Sequence, residues 1–349
     1  MIIQNLDKLC ENPLVSVFIS TYNQEKTVGK TIESVLAQKV TFPYEIVIAE
    51  DCSPDDTLNV CKSYYEQHPD IIRIHHNEVN KGIIRNYHET RLECARGKYL
   101  SGVAGDDWWH DENKLQKEVD FLEAHPDYGL VFSQTYIFSQ ATGRMQKYRP
   151  NYGPFDFKQL IIQNSISALT TCYRKDLFLR YVEEVNPIKV NFPGEDYPLW
   201  IWLSHETKLY RIDEPLTTYR LQVESLSHSR SKKDKLRFEV DRINIKLFFY
   251  NFFKLQEPDI LHDIYLQFYC LTFLIASEAE DHNVEKDRTK FFHDNGYRFL
   301  QLISKMSILC ANKPVLSPLM DFSLRVFFKL RILNRYYRIY NKSNDTNNK

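Results

Sequence analysis

With only 10 glycines in 349 residues, the chain has little material for a glycine-rich phosphate loop, and the loop after its first apolar strand, Thr21 to Glu25, contains none. That absence excludes the GxGxxG turn of a dinucleotide-dependent oxidoreductase. It also removes the glycine-rich loop that a sugar-phosphate nucleotidyltransferase needs after strand one. Long apolar runs are missing too. The most apolar stretch, Ile264 to Ala276, covers 13 residues and includes Gln267 and Thr272, whereas a spanning helix needs about 20. A buried helix is expected there. Cysteine is sparse: seven residues, an odd number without repeated CxxC spacing, argue against a disulfide framework or a zinc ribbon and fit reduced cytosolic thiols. Neither sign of charge dominates. The 45 basic and 46 acidic residues leave a net charge of −1, so no global field draws the chain to nucleic acid. The N-terminal MIIQNLDKLCENP lacks a basic segment ahead of a long apolar core. The expectation is a cytoplasmic protein, with contact at the inner face of the membrane left open.

What is present describes a protein that folds, since 43% apolar and 26% charged residues exclude a disordered composition. From Leu14 the sequence reads VSVFIS, a strand; Val28, Ile32, Val35 and Leu36 then share one helical face. The cycle repeats with YEIVIAE (44–50), a helix over 58–67, IIRIHH (71–76), a helix over 83–95 and KYLSGVA (98–104). Strands alternating with helices predict an α/β fold with a doubly wound, mainly parallel sheet and helices on both faces. In such sheets ligands bind beyond the strands' carboxyl ends, which singles out the loops 21–25, 50–56, 77–86 and 105–111. Beyond Lys232 the composition turns helical and aromatic, as in Ile245 to Phe253. The length and this shift predict two domains, 1–229 and 230–349, the second helical.

Two carboxylate pairs carry the chemistry. Asp106-Asp107 follows a predicted buried strand, ahead of a predicted helix. Isolated Asp-Asp pairs mostly cap helices in solvent, but at a strand's carboxyl end hard oxygen ligands suit Mg²⁺ or Mn²⁺, the ions that bridge diphosphates. Glu195-Asp196 follows Gly194 and precedes the aromatic segment Tyr197 to Trp202. A partly apolar setting raises a carboxylate's pKa toward the range of a general base, although acidic residues at a helix start are equally common for the dipole's sake.

In order, VSVFISTYN, EIVIAEDCSPDDT, NKGIIRN, GKYLSGVAGDDWW and GEDYPLW over residues 14 to about 225 resemble family-2 glycosyltransferases of the GT-A fold, of the bacterial polysaccharide and lipopolysaccharide type. The resemblance implies metal-dependent, inverting transfer of a sugar from a nucleoside-diphosphate donor, a UDP-sugar by preference, to a hydroxyl of a glycan or lipid-linked acceptor. It implies that Thr21, Tyr22 and Asp51 hold the nucleotide base, that Asp106 lies near the ribose, that Asp107 binds Mn²⁺ or Mg²⁺, and that Asp196 is the base. Arg85 and Arg220 are candidates for the diphosphate, with a structural ion pair the alternative for each; Glu195 is the reserve candidate for the base. Two departures stand out. Ala104 occupies the place where many relatives have a further Asp, and Gln222 the place where many have a His, so Gln222 stays outside the expected metal site. A catalytically silent carbohydrate-binding or scaffold protein is the rival reading. The segment from Asp321 to Lys342, with six basic residues and one acid, suits either a helix docked on anionic lipid or a packed closing helix.

Overall fold

The structure is a computed structural model that describes residues 1–147, 155–222, 231–272 and 281–296. The basic segment 321–342 lies outside the described residues. The chain divides into two compact units, Met1–Val223 and Glu224–Lys349.

The first unit opens with β1 (Ile2–Ile3), β2 (Val15–Thr21), α1 (Val28–Leu36), β3 (Tyr44–Glu50), α2 (Thr57–Gln67), β4 (Ile72–His76), α3 (Ile83–Cys94) and β5 (Tyr99–Ala104). It continues with β6 (Trp108–Trp109), α4 (Lys114–Ala124), β7 (Tyr128–Ser139), β8 (Arg144–Lys147), α5 (Phe157–Leu160), β9 (Thr171–Arg174), α6 (Lys175–Val185), α7 (Pro187–Val190), α8 (Tyr197–Glu206) and β10 (Lys208–Leu221). One sheet takes the order β1-β4-β3-β2-β5-β9-β7-β10-β6, with β8 on β7. Its parallel heart is β4-β3-β2-β5, in which Val17 lies level with Ile46 and Ser101. All seven residues of β3 are buried, as expected for a parallel strand covered on both faces.

Alternation along β2 divides the core. Val15, Val17 and Ile19 pack with Val28, Ile32 and Val35 of α1 and with Leu115, Val119 and Leu122 of α4. Phe18 faces the other way, under the Arg91 guanidinium of α3 at 4.6 Å. Each fully buried aliphatic side chain stabilises the fold by about 1.5–3 kcal/mol.

Beyond β5 the pattern departs from simple alternation. Asp106-Asp107 leads not directly into a helix but into β6, which pairs antiparallel with β10 so that Thr218 lies level with Trp108. β9 enters antiparallel between β5 and β7. The β6–β10 pairing folds the end of β10 back over the aspartate pair, and the site depends on it.

On α4 a complete ion pair lies in the core: Lys114 Nζ and Glu118 Oε2 are 2.7 Å apart with both side chains at 0% exposure. Burial pushes the Glu118 carboxyl up to about 7 against the pull of Lys114. Removing one member of such a pair costs about 3–5 kcal/mol. Lys114→Met is therefore expected to lower stability toward urea by that order, with a smaller loss at pH 6 than at pH 8 because Glu118 can take up a proton. An equal loss at both pH values would contradict this account of the pair.

The second unit contains α9 (Lys232–Phe252), α10 (Pro258–Leu271) and α11 (His282–Asp294). Ser231 caps α9 by accepting the Asp234 amide, and Phe249 and Ile264 are fully buried. The run expected to form a buried helix from Ile264 is the end of α10, and residues after Thr272 lie outside the described part. Among the described residues, no helix is long and apolar enough to cross a membrane.

Candidate functional site

Loops at the carboxyl ends of β2 and β3 are stitched together by polar contacts. Asn23, Gln24 and Glu25 donate their amides to Ser53 Oγ, Thr57 Oγ1 and Asp55 Oδ2 at 3.0, 2.8 and 3.0 Å. Asn23 and Cys52 both hold positive φ, 55° and 58°, a costly conformation for side chains other than Gly that surrounding contacts must maintain. Glu50 supplies part of that support, accepting from Cys52 N, Ser53 N and the His76 ring at 3.2, 2.7 and 2.5 Å.

Asp51 organises the third loop. Its Oδ1 accepts from Asn77 Nδ2 and Lys81 N at 2.8 and 2.9 Å, and its Oδ2 from Gly82 N at 2.9 Å. Gly82 sits at φ 79°, where a side chain would be strained. Tyr22 is exposed beside these loops, and Thr21 is buried with its hydroxyl donating to Gln24 Oε1 at 2.9 Å. Arg85 points to solvent and pairs with Glu89 at 2.7 Å; Lys81 holds the other Glu89 oxygen at the same distance. Arg85 is thus in an ion pair, as one of its two expected roles requires.

The aspartate pair sits against this cluster because Gly105 has no side chain. A Cβ there would come 2.8 Å from Thr21 Oγ1 and collide with the Gln24 amide. Asp107 is buried; its carbonyl accepts the Thr31 hydroxyl at 2.6 Å, and its Oδ1 accepts the Arg220 amide at 2.7 Å. Asp106 is more open. Its carbonyl accepts Arg220 Nε at 2.7 Å, and its Oδ2 accepts Gln222 Nε2 at 2.8 Å. Gln222, set aside in the sequence, therefore touches the pair, and Gln24 also bonds to Asp106.

Burial, and then the charge of Asp106, push the Asp107 carboxyl well above the usual carboxylate range; burial raises Asp106 as well. Two adjacent, partly desolvated carboxylates strain against each other, and a divalent cation would relieve that strain. Two carboxylates make a hard oxygen set too small to enclose an ion, which fits a Mg²⁺ or Mn²⁺ that completes its sphere with water and phosphate oxygens. Among the described residues, no cluster of three or more His, Cys, Asp or Glu side chains is placed to hold a metal.

Glu195 and Asp196 stand at the start of α8, where Asp196 Oδ1 accepts the Tyr197 amide at 2.6 Å. Burial, and next the charge of Asp196, push Glu195 up to about 7, while the Arg91 charge pulls the other way. Arg91 itself is buried on α3, 3.3 Å from the Tyr87 ring centroid, and donates to Tyr87 O at 3.0 Å. Tyr87 and Tyr173 share a hydroxyl hydrogen bond of 3.0 Å. Neither Arg91 nor Tyr87 stood out in the sequence; a charged side chain on a helix that packs against a buried, mostly apolar strand was the available signal.

Residues 16–180 match the profile of the family described as Glycosyl transferase family 2. A relative, UDP-Glc:alpha-D-GlcNAc-diphosphoundecaprenol beta-1,3-glucosyltransferase WfaP of Escherichia coli, is 29% identical over 63% of this chain and 82% of its own length. The chain spans 61% of the length of the mycobacterial proteins it matches. Among solved structures, Staphylococcus aureus TarS in complex with UDP-GlcNAc superposes with a TM-score of 0.58 at 17% identity, over 85% of this chain and 88% of that one. The mannosyltransferase PcManGT from Pyrobaculum calidifontis, in complex with GDP-Man and Mn²⁺, gives 0.51 at 16% identity, over 86% of each chain. The structural likenesses establish the GT-A fold of the N-terminal unit, and within it residues 16–180 match the glycosyl transferase family 2 profile.

Proposed function

We propose that this chain is an inverting, cation-dependent hexosyltransferase. It moves a sugar from a nucleoside-diphosphate donor, with UDP the preferred nucleotide, to a hydroxyl of a glycan or lipid-linked acceptor in surface polysaccharide synthesis. The observation that carries the proposal is the aspartate pair, held at the carboxyl end of β5 and clasped from β10 through Arg220 and Gln222. The named relatives point the same way. WfaP takes its glucose from UDP and uses a diphosphoundecaprenol-linked acceptor by its name, TarS holds UDP-GlcNAc, and PcManGT holds GDP-Man with Mn²⁺.

In this reading residues 1–229 form the donor-binding catalytic domain, residues 230–349 a second domain, and the protein works in the cytoplasm. The nucleotide base lies against Tyr22, with Thr21 and Asp51 shaping the floor. The aspartate pair holds the cation. Asp107 is the cation's ligand, its Oδ1 also taking the Arg220 amide, and Asp106, anchored through Oδ2 by Gln222, lies near the ribose. A divalent cation held there would offset the charge that develops on the departing nucleoside diphosphate. Arg220 lies beside that leaving group; Arg85, paired with Glu89, can turn toward it from α3. Asp196 removes the acceptor's proton as its oxygen attacks the anomeric carbon, and the single displacement inverts that centre. Glu195, pushed up to about 7 by burial and by the charge of Asp196, stands beside the base as its coupled neighbour.

Binding stabilises the folded state by mass action, so thermal unfolding with a panel of nucleotide sugars tests the proposal. The midpoint is expected to rise with at least one uridine or guanosine diphosphate sugar, and to rise further with Mn²⁺. A midpoint raised by free glycans but by no nucleotide sugar would favour the silent carbohydrate-binding alternative.

A further inference from the structure

Trp108, buried in β6, carries two cations over one ring. Lys30 Nζ stands 3.5 Å from the ring centroid, and the central carbon of the Arg220 guanidinium 5.0 Å. Lys30 comes from the first turn of α1 and Arg220 from the end of β10, elements far apart in sequence. Their convergence depends on the β6–β10 pairing at Thr218 and Trp108 and on the Thr31 hydroxyl bonded to Asp107 O.

Arg220 has the aspartate pair beside it, but Lys30 has no anion of its own. Lys30 is exposed, and among the described residues no carboxylate pairs with its ammonium. Arg220 spends its Nε on the Asp106 carbonyl and its amide on Asp107 Oδ1. Asp106, for its part, is bonded through Oδ2 to Gln222. Partial burial, and then the charge of Arg220, lower the Lys30 pKa. A cation over an exposed aromatic face gains only about 0.5–1 kcal/mol, so the ring positions Lys30 more than it neutralises it. A phosphate would neutralise both cations at once, through charge-assisted hydrogen bonds.

We propose that Lys30 is a diphosphate-binding residue: its ammonium and the outer nitrogens of Arg220, both held over Trp108, grip the diphosphate of the donor and of the released nucleotide. The proposal rests on the nucleotide-sugar reading above and extends it to a residue that no motif marks. The aspartate pair needs a cation, and that cation neutralises only part of a diphosphate's charge. Lys30 and Arg220 supply the remainder from the protein.

Calorimetry of the full chain with Mn²⁺ tests this, using UDP and GDP against uridine and guanosine for wild type, Lys30→Met and Lys30→Arg. Lys30 is exposed, and Met retains a chain of similar length to cover Trp108, so folding is preserved. Wild type is expected to bind a nucleoside diphosphate more tightly than the corresponding nucleoside. Lys30→Met should lose about tenfold to a hundredfold in diphosphate affinity, the range of a hydrogen bond to a charged group, and leave nucleoside affinity unchanged, while Lys30→Arg should retain most of the binding. Unchanged diphosphate affinity in Lys30→Met overturns the proposal. So does an equal loss for nucleoside and diphosphate, which would make the residue a structural support. A wild type that binds neither UDP nor GDP overturns the nucleotide-sugar reading itself, and this proposal falls with it.

Discussion

Asp196→Asn is expected to lower sugar transfer by about 10²–10⁴, the usual contribution of a positioned general base, while donor affinity changes little. The substitution keeps the size of the side chain and an oxygen to accept the Tyr197 amide, so the start of α8 stays capped. Only basicity is lost. Glu195→Gln is the companion measurement. Glu195 is pushed up to about 7 by burial and by its neighbour's charge, and two interacting carboxyls titrate as a pair. The transfer rate of the wild type should therefore rise through a limb near pH 7, and in Glu195→Gln that limb should move to lower pH. Near wild-type transfer in Asp196→Asn would relocate the base, with Glu195 the next candidate.

Asp107→Asn is expected to reduce nucleoside diphosphate release by about 10²–10³, comparable to removing one electrostatic contact to a developing oxyanion. Excess EDTA should stop release in the wild type. The same substitution has a second readout in stability, and its sign follows from the raised pKa. A carboxyl whose folded-state pKa lies above its unfolded value contributes stability below the unfolded value and loses it as pH rises through the folded one. Asp107 is such a group, raised by burial and by Asp106. In the metal-free protein at neutral pH the raised pKa makes the Asp107 carboxyl cost stability, so Asp107→Asn should melt no lower than the wild type and should lose the gain that Mn²⁺ gives the wild type. An Asp107→Asn protein that melts well below the metal-free wild type would show that the side chain is structural.

Much of this site was legible in the sequence because its loops hang from strands with an unmistakable period. VSVFIS and YEIVIAE are buried on both faces in the parallel heart of the sheet, and the loops beyond them do converge. Thr21, Asp51, Asp106 and Asp107 fall in those loops for that reason. What escaped depends on pairing that no local period encodes. The two-residue strand Trp108–Trp109 is too short to register, yet its ladder with β10 brings Arg220 and Gln222 onto the aspartates. Gln222 was set aside because an amide is a weak metal ligand. In the fold it acts as a donor to Asp106, a role that ligand chemistry alone does not reveal. Asp51 is a further case: chosen as a base contact, it also holds the 77–82 turn through three hydrogen bonds. The buried Lys114–Glu118 pair inverted the usual reading of an i, i+4 charge pair as a solvated helix face.

Release of nucleoside diphosphate from a panel of nucleotide sugars, followed in Mn²⁺ and in EDTA for the wild type and for Asp107→Asn, addresses the central claim most directly. The account predicts that at least one sugar nucleotide is turned over in Mn²⁺, and that turnover stops both in EDTA and in Asp107→Asn. Turnover that persists in EDTA, or that Asp107→Asn leaves intact, would contradict it.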